Sequence, residues 1–317
     1  MRLWVLLPTD PITDDRAYLL GRLQAAFDEV EVTWTSRTAV SLSRPAKRPH
    51  LILNLVSAKC RQLLEEVDRL ADEFDIPVSP TSESAWRSED KRTYLETYRD
   101  VSPPTWVVSN LGELAKLRSE IDADIVVKDP LGHGGNEVEK IGREENLELA
   151  ERLIENSWNA TGQLIVQPYM RGFSLGDKRA LVQRMPDQNY KIVAHIGRAP
   201  PPNGWKSNIR IGGHTIDVDL SREEIGMALD LAKRSDLDMA VIDLATHEGR
   251  TYFIEVNSTY GGIIDYDLGR SGRGVDYCAD YLVYLARYGR SGIGSVRLSD
   301  KAAERPLVHS VQRQKRT

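Results

Sequence analysis

The stretch from Val241 to Asn257, VIDLATHEGRTYFIEVN, constrains this chain more than any other. An apolar run, Met239–Leu244, carries one acid, Asp243; a polar turn, Thr246–Arg250, follows; a second run, Thr251–Val256, delivers Glu255 and ends at Asn257. Both runs have the β-branched and aromatic enrichment of strands, and the turn is short enough for a hairpin. Side chains alternate across a strand, so Glu255 and Asn257 share a face. A turn centred on Glu248 places Asp243 opposite Phe253 and on that same face. Two carboxylates and an amide then converge. Such oxygen donors suit Mg²⁺, which keeps several waters and is completed by substrate phosphates. An amphipathic hairpin whose polar residues merely face water fits the alternation equally well. The choice between them rests on the rest of the chain.

Upstream, Arg2–Leu7 reads as a buried strand, Asp14–Phe27 as a helix, and Val30–Thr35 and Leu51–Val56 as further strands, with a loop at Ser41–His50. Cys60–Phe74 is an amphipathic helix with Cys60, Leu63, Leu64, Val67, Leu70, Ala71 and Phe74 on one stripe. Strands alternating with helices predict an open, mostly parallel α/β domain over residues 1–90. Ligands of such sheets sit beyond the carboxyl ends of strands, which makes Asn54, Ser57 and Asp10 candidate substrate contacts. Pro80–Arg92 reads as a polar connector and Lys91–Tyr98 as a short helix. Then come a strand at Pro103–Val107, a helix capped near Ser109 or Asn110, a strand at Asp124–Lys128 and a helix at Asn146–Trp158. Leu164–Tyr169, Arg179–Gln183 and Tyr190–Ile196 read as strands, and Ala199–Gly213 is irregular, broken by prolines and glycines. Ser221 with Glu224 forms a capping box that opens a helix. Past the hairpin, Ser258–Val275 is irregular and Asp276–Tyr288 is a last helix ended by Gly289. The tail at 291–317, with six Lys/Arg against two Asp/Glu, is expected to be mobile.

The net charge of −5 speaks against nucleic acid as a general partner. The early apolar run Leu3–Leu7 is too short for a signal peptide or a membrane span. Two well-separated cysteines, Cys60 and Cys278, fit apolar helix faces and suggest buried thiols in a reducing cytoplasm.

Between its strands the segment Lys128-Asp-Pro-Leu-Gly-His-Gly-Gly-Asn-Glu-Val is a glycine-rich turn. It is neither a Walker loop nor a dinucleotide fingerprint, since no helix follows the glycines. Gly132, Gly134 and Gly135 nonetheless let backbone amides approach phosphate oxygens, beside a strand-end lysine. Gln167-Pro168-Tyr169 ends a strand where an adenine edge could pair. Asp177 and Arg179 share a strand face, an acid for a ribose hydroxyl beside a base for phosphate. Trp205-Lys206-Ser207-Asn208-Ile209-Arg210-Ile211-Gly212-Gly213 adds two bases in a loop able to close over a site.

In this order the elements resemble the ATP-grasp superfamily, in the branch of bacterial glutathione synthetases and ribosomal-protein glutamate ligases. The resemblance runs from about Lys91 to Tyr288. It implies an α/β N-terminal domain followed by α+β ATP-grasp lobes, a central one near 105–165 and a C-terminal one near 166–290, with nucleotide between them. By position, Lys91 and Lys128 resemble the lysines on ATP phosphates, Gln167–Tyr169 the adenine hinge and Asp177 the ribose contact. Arg179, Lys206, Asn208 and Arg210 correspond to residues of the transfer step. Asp243, Glu255 and Asn257 look like the ligands of two Mg²⁺ ions, with Mn²⁺ as an alternative. Lys206 stands where the family usually has arginine, keeping the charge but losing the bidentate fork. The function implied is an ATP-dependent carboxylate–amine ligase working through an acyl phosphate. Its expected partners are small carboxylate and amine substrates, amino acids or peptides, with homo-oligomerisation left open. Extension of a peptide or protein tail, or an ATP-binding regulatory role, are the alternatives. The loops at 129–137 and 199–213 would act as lids, and Arg270 and Arg273 could hold a substrate carboxylate.

Overall fold

The computed structural model describes residues 1–8, 14–35, 41–56, 59–132, 134–135, 137–143, 147–155, 161–258 and 274–289. Asp10, Ser57, Arg270, Arg273 and the tail lie outside the described residues.

The N-terminal strands β1 (Arg2–Pro8), β2 (Glu29–Thr35), β3 (Leu51–Asn54) and β4 (Val78–Ser79) form a parallel sheet in the order β2-β1-β3-β4. Both faces of β1 are apolar and both are covered, as a central parallel strand requires. Leu3, Val5 and Leu7 pack with Leu19 and Leu23 of helix α1 (Asp14–Ala26), and Trp4 and Leu6 pack with Leu63, Val67 and Leu70 of α2 (Arg61–Phe74).

The expected connector at Pro80–Arg92 is instead largely a helix, α3 (Ser82–Glu89). Thr81 caps it by accepting the Ser84 amide. Its buried serines bond backbone carbonyls, Ser82 Oγ donating to Leu64 of α2 and Ser88 Oγ to Ser84 within the helix, both at 2.7 Å, and Ser84 Oγ to Asp236 at 3.2 Å. Hydroxyls that bond backbone let a polar segment pack like an apolar one. A 3₁₀ turn at Lys91–Thr93 and a single turn of helix, α4 (Tyr94–Thr97), follow.

A second sheet, order β5-β8-β6-β7, is antiparallel and comprises β5 (Trp106–Val108), β6 (Ile125–Lys128), β7 (Val138–Ile141) and β8 (Leu164–Pro168). Helices α5 (Leu111–Glu120), capped by Asn110, and α6 (Glu148–Glu155) cover one face through Leu114, Ala150 and Leu153. Alternation sends Ile125 and Val127 to that core and leaves Val126, Lys128 and Gln167 on the opposite face, which lines a cleft.

The third sheet runs β11-β10-β9-β12-β13, with β9 (Asp177–Arg184), β10 (Tyr190–Ala199), β11 (His214–Ile216), β12 (Met239–His247) and β13 (Arg250–Asn257). The Ser221–Glu224 capping box opens α7 (Arg222–Ser235), which packs on one face with Tyr94, Tyr98, Ile242 and Phe253. On the other face α8 (Gly274–Tyr288) joins this sheet to the first: Cys278, Tyr281 and Leu285 share one core with Leu3, Val5, Leu181, Val193 and Met239. Among the described residues no helix is long and apolar enough to cross a membrane.

The hairpin differs from expectation in register. Its strands extend to His247 and Arg250, leaving only Glu248 and Gly249 in the turn, at φ 50° and 77°. This is the two-residue turn favoured by right-handed strand twist, with glycine at its second position. Leu244 therefore pairs with Phe253, and an unbroken ladder would put Asp243 opposite Ile254, its face reversed relative to Glu255. A bulge between the Asp243 and Leu244 pairs inserts Ile254, and Asp243 faces Glu255 instead of the expected Phe253.

Candidate active site

The second and third sheets enclose an open cleft of about 840 Å³. Its walls gather Lys91, Lys128, Gly132, Gly134, Gly135, Gln167, Pro168, Tyr169, Asp177, Lys206, Asn208, Asp243 and Glu255. These residues come from seven separate segments, so convergence is the fold's doing. Of the other residues singled out in the sequence, Arg179 lies behind Asp243, Asn257 sits beside Glu255, and Arg210 is exposed next to Gly134. Val126, Met170, Phe173, Trp205 and Ile254 give the cleft apolar wall. A mostly apolar cleft with a few aimed polar groups is the usual form of a small-molecule site.

One end of the cleft is basic. Lys91 is buried and donates to the Gly132 carbonyl at 2.5 Å, fixing the glycine turn by its backbone. Lys128, at the end of β6, donates to Gln167 Oε1 at 2.8 Å, and Gln167 in turn donates to Thr105 at 2.8 Å. Burial, reinforced by the charge of Lys91, pushes the Lys128 ammonium down to about 8. Gly134 and Gly135 adopt φ 72° and 80°, which side-chain-bearing residues rarely take.

Four charged residues from three neighbouring strands form a buried lattice. Arg179 grips Asp243 with Nε and Nη2, both at 2.6 Å, and its Nη2 lies 3.8 Å from Glu255. Arg198 grips Asp177 at 2.7 and 2.8 Å and gives a further bond to Asp243 at 2.7 Å. Ser207 donates to the same Asp177 carboxylate. Burial and the nearby Arg179 disfavour charge on Arg198, yet Asp243 and Asp177 outweigh them and raise its pKa. Burial pushes the Asp243 carboxyl up against the pull of both arginines. Three short charge-assisted bonds are nevertheless the surroundings of an ionised carboxylate.

Arg198 was missed in the sequence because β10 was expected to end at Ile196; the strand runs on to Ala199. Arg198 continues the interior register of Ala194 and Ile196, and that register was the signal. Lys59 was missed as well: it reaches from the turn before α2 to Glu137 at 3.0 Å and Asp129 at 3.4 Å, the two ends of the glycine turn. Asn54, by contrast, closes its own strand end, its amide on the Pro80 carbonyl and its oxygen on the Val56 amide.

The Gln167–Tyr169 segment is partly committed. The Tyr169 amide donates to the Asp124 carbonyl at 2.7 Å, while its ring meets Trp205 edge-on at 5.8 Å and carries Lys140 over its face. Across the cleft mouth the two glycine-containing loops touch: Lys206 Nζ donates to the Gly135 carbonyl at 3.0 Å, and Asn208 lies against Gly135. Burial lowers the Lys206 pKa.

The donor set fits a magnesium-like ion. Asp243 and Glu255 are directly opposed, and Asn257 lies next on the same face and donates to Glu255 Oε1 at 3.3 Å. All three offer oxygen. The arginines occupy three of the roughly four acceptor positions of Asp243, so Glu255 would carry the larger share. Phosphate oxygens and water would complete such a sphere.

Residues 91–260, more than half of the chain, match the family described as prokaryotic glutathione synthetase, ATP-grasp domain. A probable alpha-L-glutamate ligase of Aeromonas salmonicida (strain A449) is 32% identical over 117 residues, 37% of this chain and 38% of that protein. A glutathione synthetase of Agrobacterium fabrum is 26% identical over 209 residues, 64% of this chain and 63% of that protein. The matches thus span less than two thirds of these relatives' own lengths. Among solved structures, D-alanine–D-alanine ligase from Bacillus anthracis superposes with TM-score 0.62 at 14% identity, over 90% of this chain and 99% of that one. A RimK domain ATP-grasp protein from Sphaerobacter thermophilus gives 0.60 at 16% identity, over 90% and 99%. At such identities the likeness is one of fold. Sequence match, fold and the converging cleft agree: the chain belongs to the ATP-grasp family described for prokaryotic glutathione synthetases.

Proposed function

We propose that the chain is a Mg-ATP-dependent, ADP-forming carboxylate–amine ligase. The observation that carries this is the meeting, on the walls of one cleft, of Lys91, Lys128 and the glycine turn with Arg198, Asp243 and Glu255, Arg179 gripping Asp243 from behind. Phosphoryl transfer needs positioning and charge neutralisation more than covalent participation by the protein. In this reading a substrate carboxylate oxygen attacks the γ-phosphorus, the bond to the β-phosphate oxygen breaks, and ADP departs. The amine then attacks the acyl carbon, and inorganic phosphate leaves as the amide forms. Lys91, Lys128 and the turn amides hold the phosphates; Arg179 and Arg198 offset charge on the moving phosphoryl group. Asp243, Glu255 and Asn257 would hold Mg²⁺, two ions by the family resemblance, which neutralises the β- and γ-oxygens. The meeting loops keep water from the acyl phosphate.

The relatives' names, glutathione synthetase and alpha-L-glutamate ligase, point to amino acids or peptides as substrates. Growth of a peptide or protein tail is a second reading, favoured by fold likeness to an ATP-grasp ligase whose structure was solved with a minimal precursor. A purely regulatory ATP binder would have no need to keep both Asp243 and Glu255.

A screen of amino acids and dipeptides for ADP release identifies the carboxylate. With hydroxylamine in place of the amine, a hydroxamate should form together with ADP. Release of AMP and pyrophosphate would overturn the γ-phosphoryl mechanism.

A further inference from the structure

In an unbroken β-strand, amides pointing to one edge recur at every second residue. On β13 two amides are bonded outside the hairpin, and they are three residues apart: Phe253 donates to the Val101 carbonyl at 2.9 Å, and Val256 donates to the Tyr94 hydroxyl at 3.2 Å. The odd spacing is the trace of the bulge at Ile254. The same bulge gives Glu255 its place opposite Asp243; without it the two carboxylates would lie on opposite faces.

Tyr94 fastens the far side of this irregularity. Its hydroxyl donates to the Ser88 carbonyl at 2.8 Å, accepts the Val256 amide, and lies 3.4 Å from the Val256 carbonyl. The ring is buried, edge-on to Tyr98 and Phe253 at 5.4 and 5.0 Å. Burial, with Glu255 and Glu89 nearby, raises its pKa well above the ordinary phenol value, so the hydroxyl keeps the proton it donates. Three residues before it, Lys91 holds the Gly132 carbonyl. One short segment thus anchors both the glycine turn and the strand that carries Glu255.

We propose that Tyr94 is a positioning residue for the Asp243–Glu255 pair: by bonding Val256 it holds the β13 bulge that turns Glu255 towards Asp243 and so shapes the divalent-cation site. The proposal rests on the ligase reading of that site. Groups that orient metal ligands from outside the coordination sphere are typically worth about 10- to 100-fold in metal affinity.

The test uses the full chain with Tyr94→Phe, which keeps the ring and removes only the hydroxyl, and Glu255→Gln as reference. Mn²⁺ binding is read by electron paramagnetic resonance with a non-hydrolysable ATP analogue, and Val256 amide exchange by hydrogen–deuterium exchange. Tyr94→Phe should weaken Mn²⁺ binding about tenfold and speed Val256 exchange, while affinity for the analogue without metal stays as in the wild type. If Glu255→Gln weakens Mn²⁺ binding and Tyr94→Phe does not, the positioning role is overturned and the ligase reading stands. Unchanged Val256 exchange in Tyr94→Phe overturns the role too. If Glu255→Gln leaves Mn²⁺ binding untouched, the metal reading falls and this proposal falls with it.

Discussion

Arg198 and Asp243 share one hydrogen bond, Nη2 to Oδ2 at 2.7 Å, although Arg198 is also clamped bidentately to Asp177. One guanidinium therefore ties the acid at the start of β9 to the acid in the middle of β12. The side chains are 6%, 9% and 1% exposed, so none can turn to water instead. Loss of one member leaves buried charge without a counter-charge, which typically costs about 3–5 kcal/mol. Arg198→Met should lower unfolding free energy by about 3 kcal/mol and reduce ADP formation by orders of magnitude. Arg198→Lys should recover much of the stability and little of the rate, because an ammonium cannot reproduce the fork. Urea unfolding alongside turnover separates the two effects. A fully active Arg198→Lys would show that the carboxylates need only a charge.

Lys59 supplies a second, independent connection. It is 11% exposed and sits between Asp129, 2% exposed, and Glu137, 18% exposed. It comes from the turn between β3 and α2, whereas both acids flank the glycine turn between β6 and β7, so it joins the first and second sheets beside the proposed phosphate site. Lys59→Met should cost about 2 kcal/mol, less than a fully buried pair because Glu137 retains water. Neutralising the acids in the same chain, Asp129→Asn with Glu137→Gln, should restore part of that loss. No recovery in chemical denaturation would mean that Lys59 acts through its packing rather than its charge.

What the sequence revealed followed from local periodicity. Alternation placed Glu255 and Asn257 on one face, Asp243 joining them only through a turn assumed to centre on Glu248, and the Ser221–Glu224 box marked the start of α7. Features without a local signature stayed hidden. The inserted Ile254 looks like any strand residue, so the partner of Asp243 was misplaced even though its face was right. The segment of α3 read as a polar connector because nothing in its neighbours shows that its serine hydroxyls bond backbone. Lys59 meets partners seventy and seventy-eight residues away, a contact only the tertiary fold creates.

Lys128 makes the site sensitive to pH. Its ammonium titrates at about 8 in the folded protein, against 10.5 ordinarily. Between those values the unfolded chain binds more protons than the folded one. This group therefore adds stability as pH rises through that window and contributes no pH dependence below about 8. Nucleotide binding should run the other way. Phosphate favours the charged lysine, so ATP affinity should fall as pH rises above about 8, with proton uptake on binding in that range. Titration calorimetry in buffers of different ionisation enthalpy measures the uptake directly. In Lys128→Met the uptake should vanish. If it persists, another group is titrating.

Gly135 joins the two loops at the cleft mouth. At φ 80°, a Cβ added there would lie 2.6 Å from Asn208 Oδ1 and 2.9 Å from its Cγ, and the Gly135 carbonyl accepts Lys206 at 3.0 Å. Gly135→Ala should therefore push the loops apart. Gly162→Ala is the matched control, since Gly162 has φ 62° but nothing within 4 Å of an added Cβ. Both variants carry the same left-handed strain, about 1 kcal/mol, but only the first disturbs the loop contact. In the proposed mechanism, holding the mouth open would let water reach the acyl phosphate and hydrolyse it before the amine arrives. ADP should then outrun amide: the ratio of the two should rise severalfold in Gly135→Ala and stay near one in Gly162→Ala and the wild type. Equal ratios in all three proteins would mean that the contact between Lys206, Asn208 and Gly135 is not what shields the intermediate.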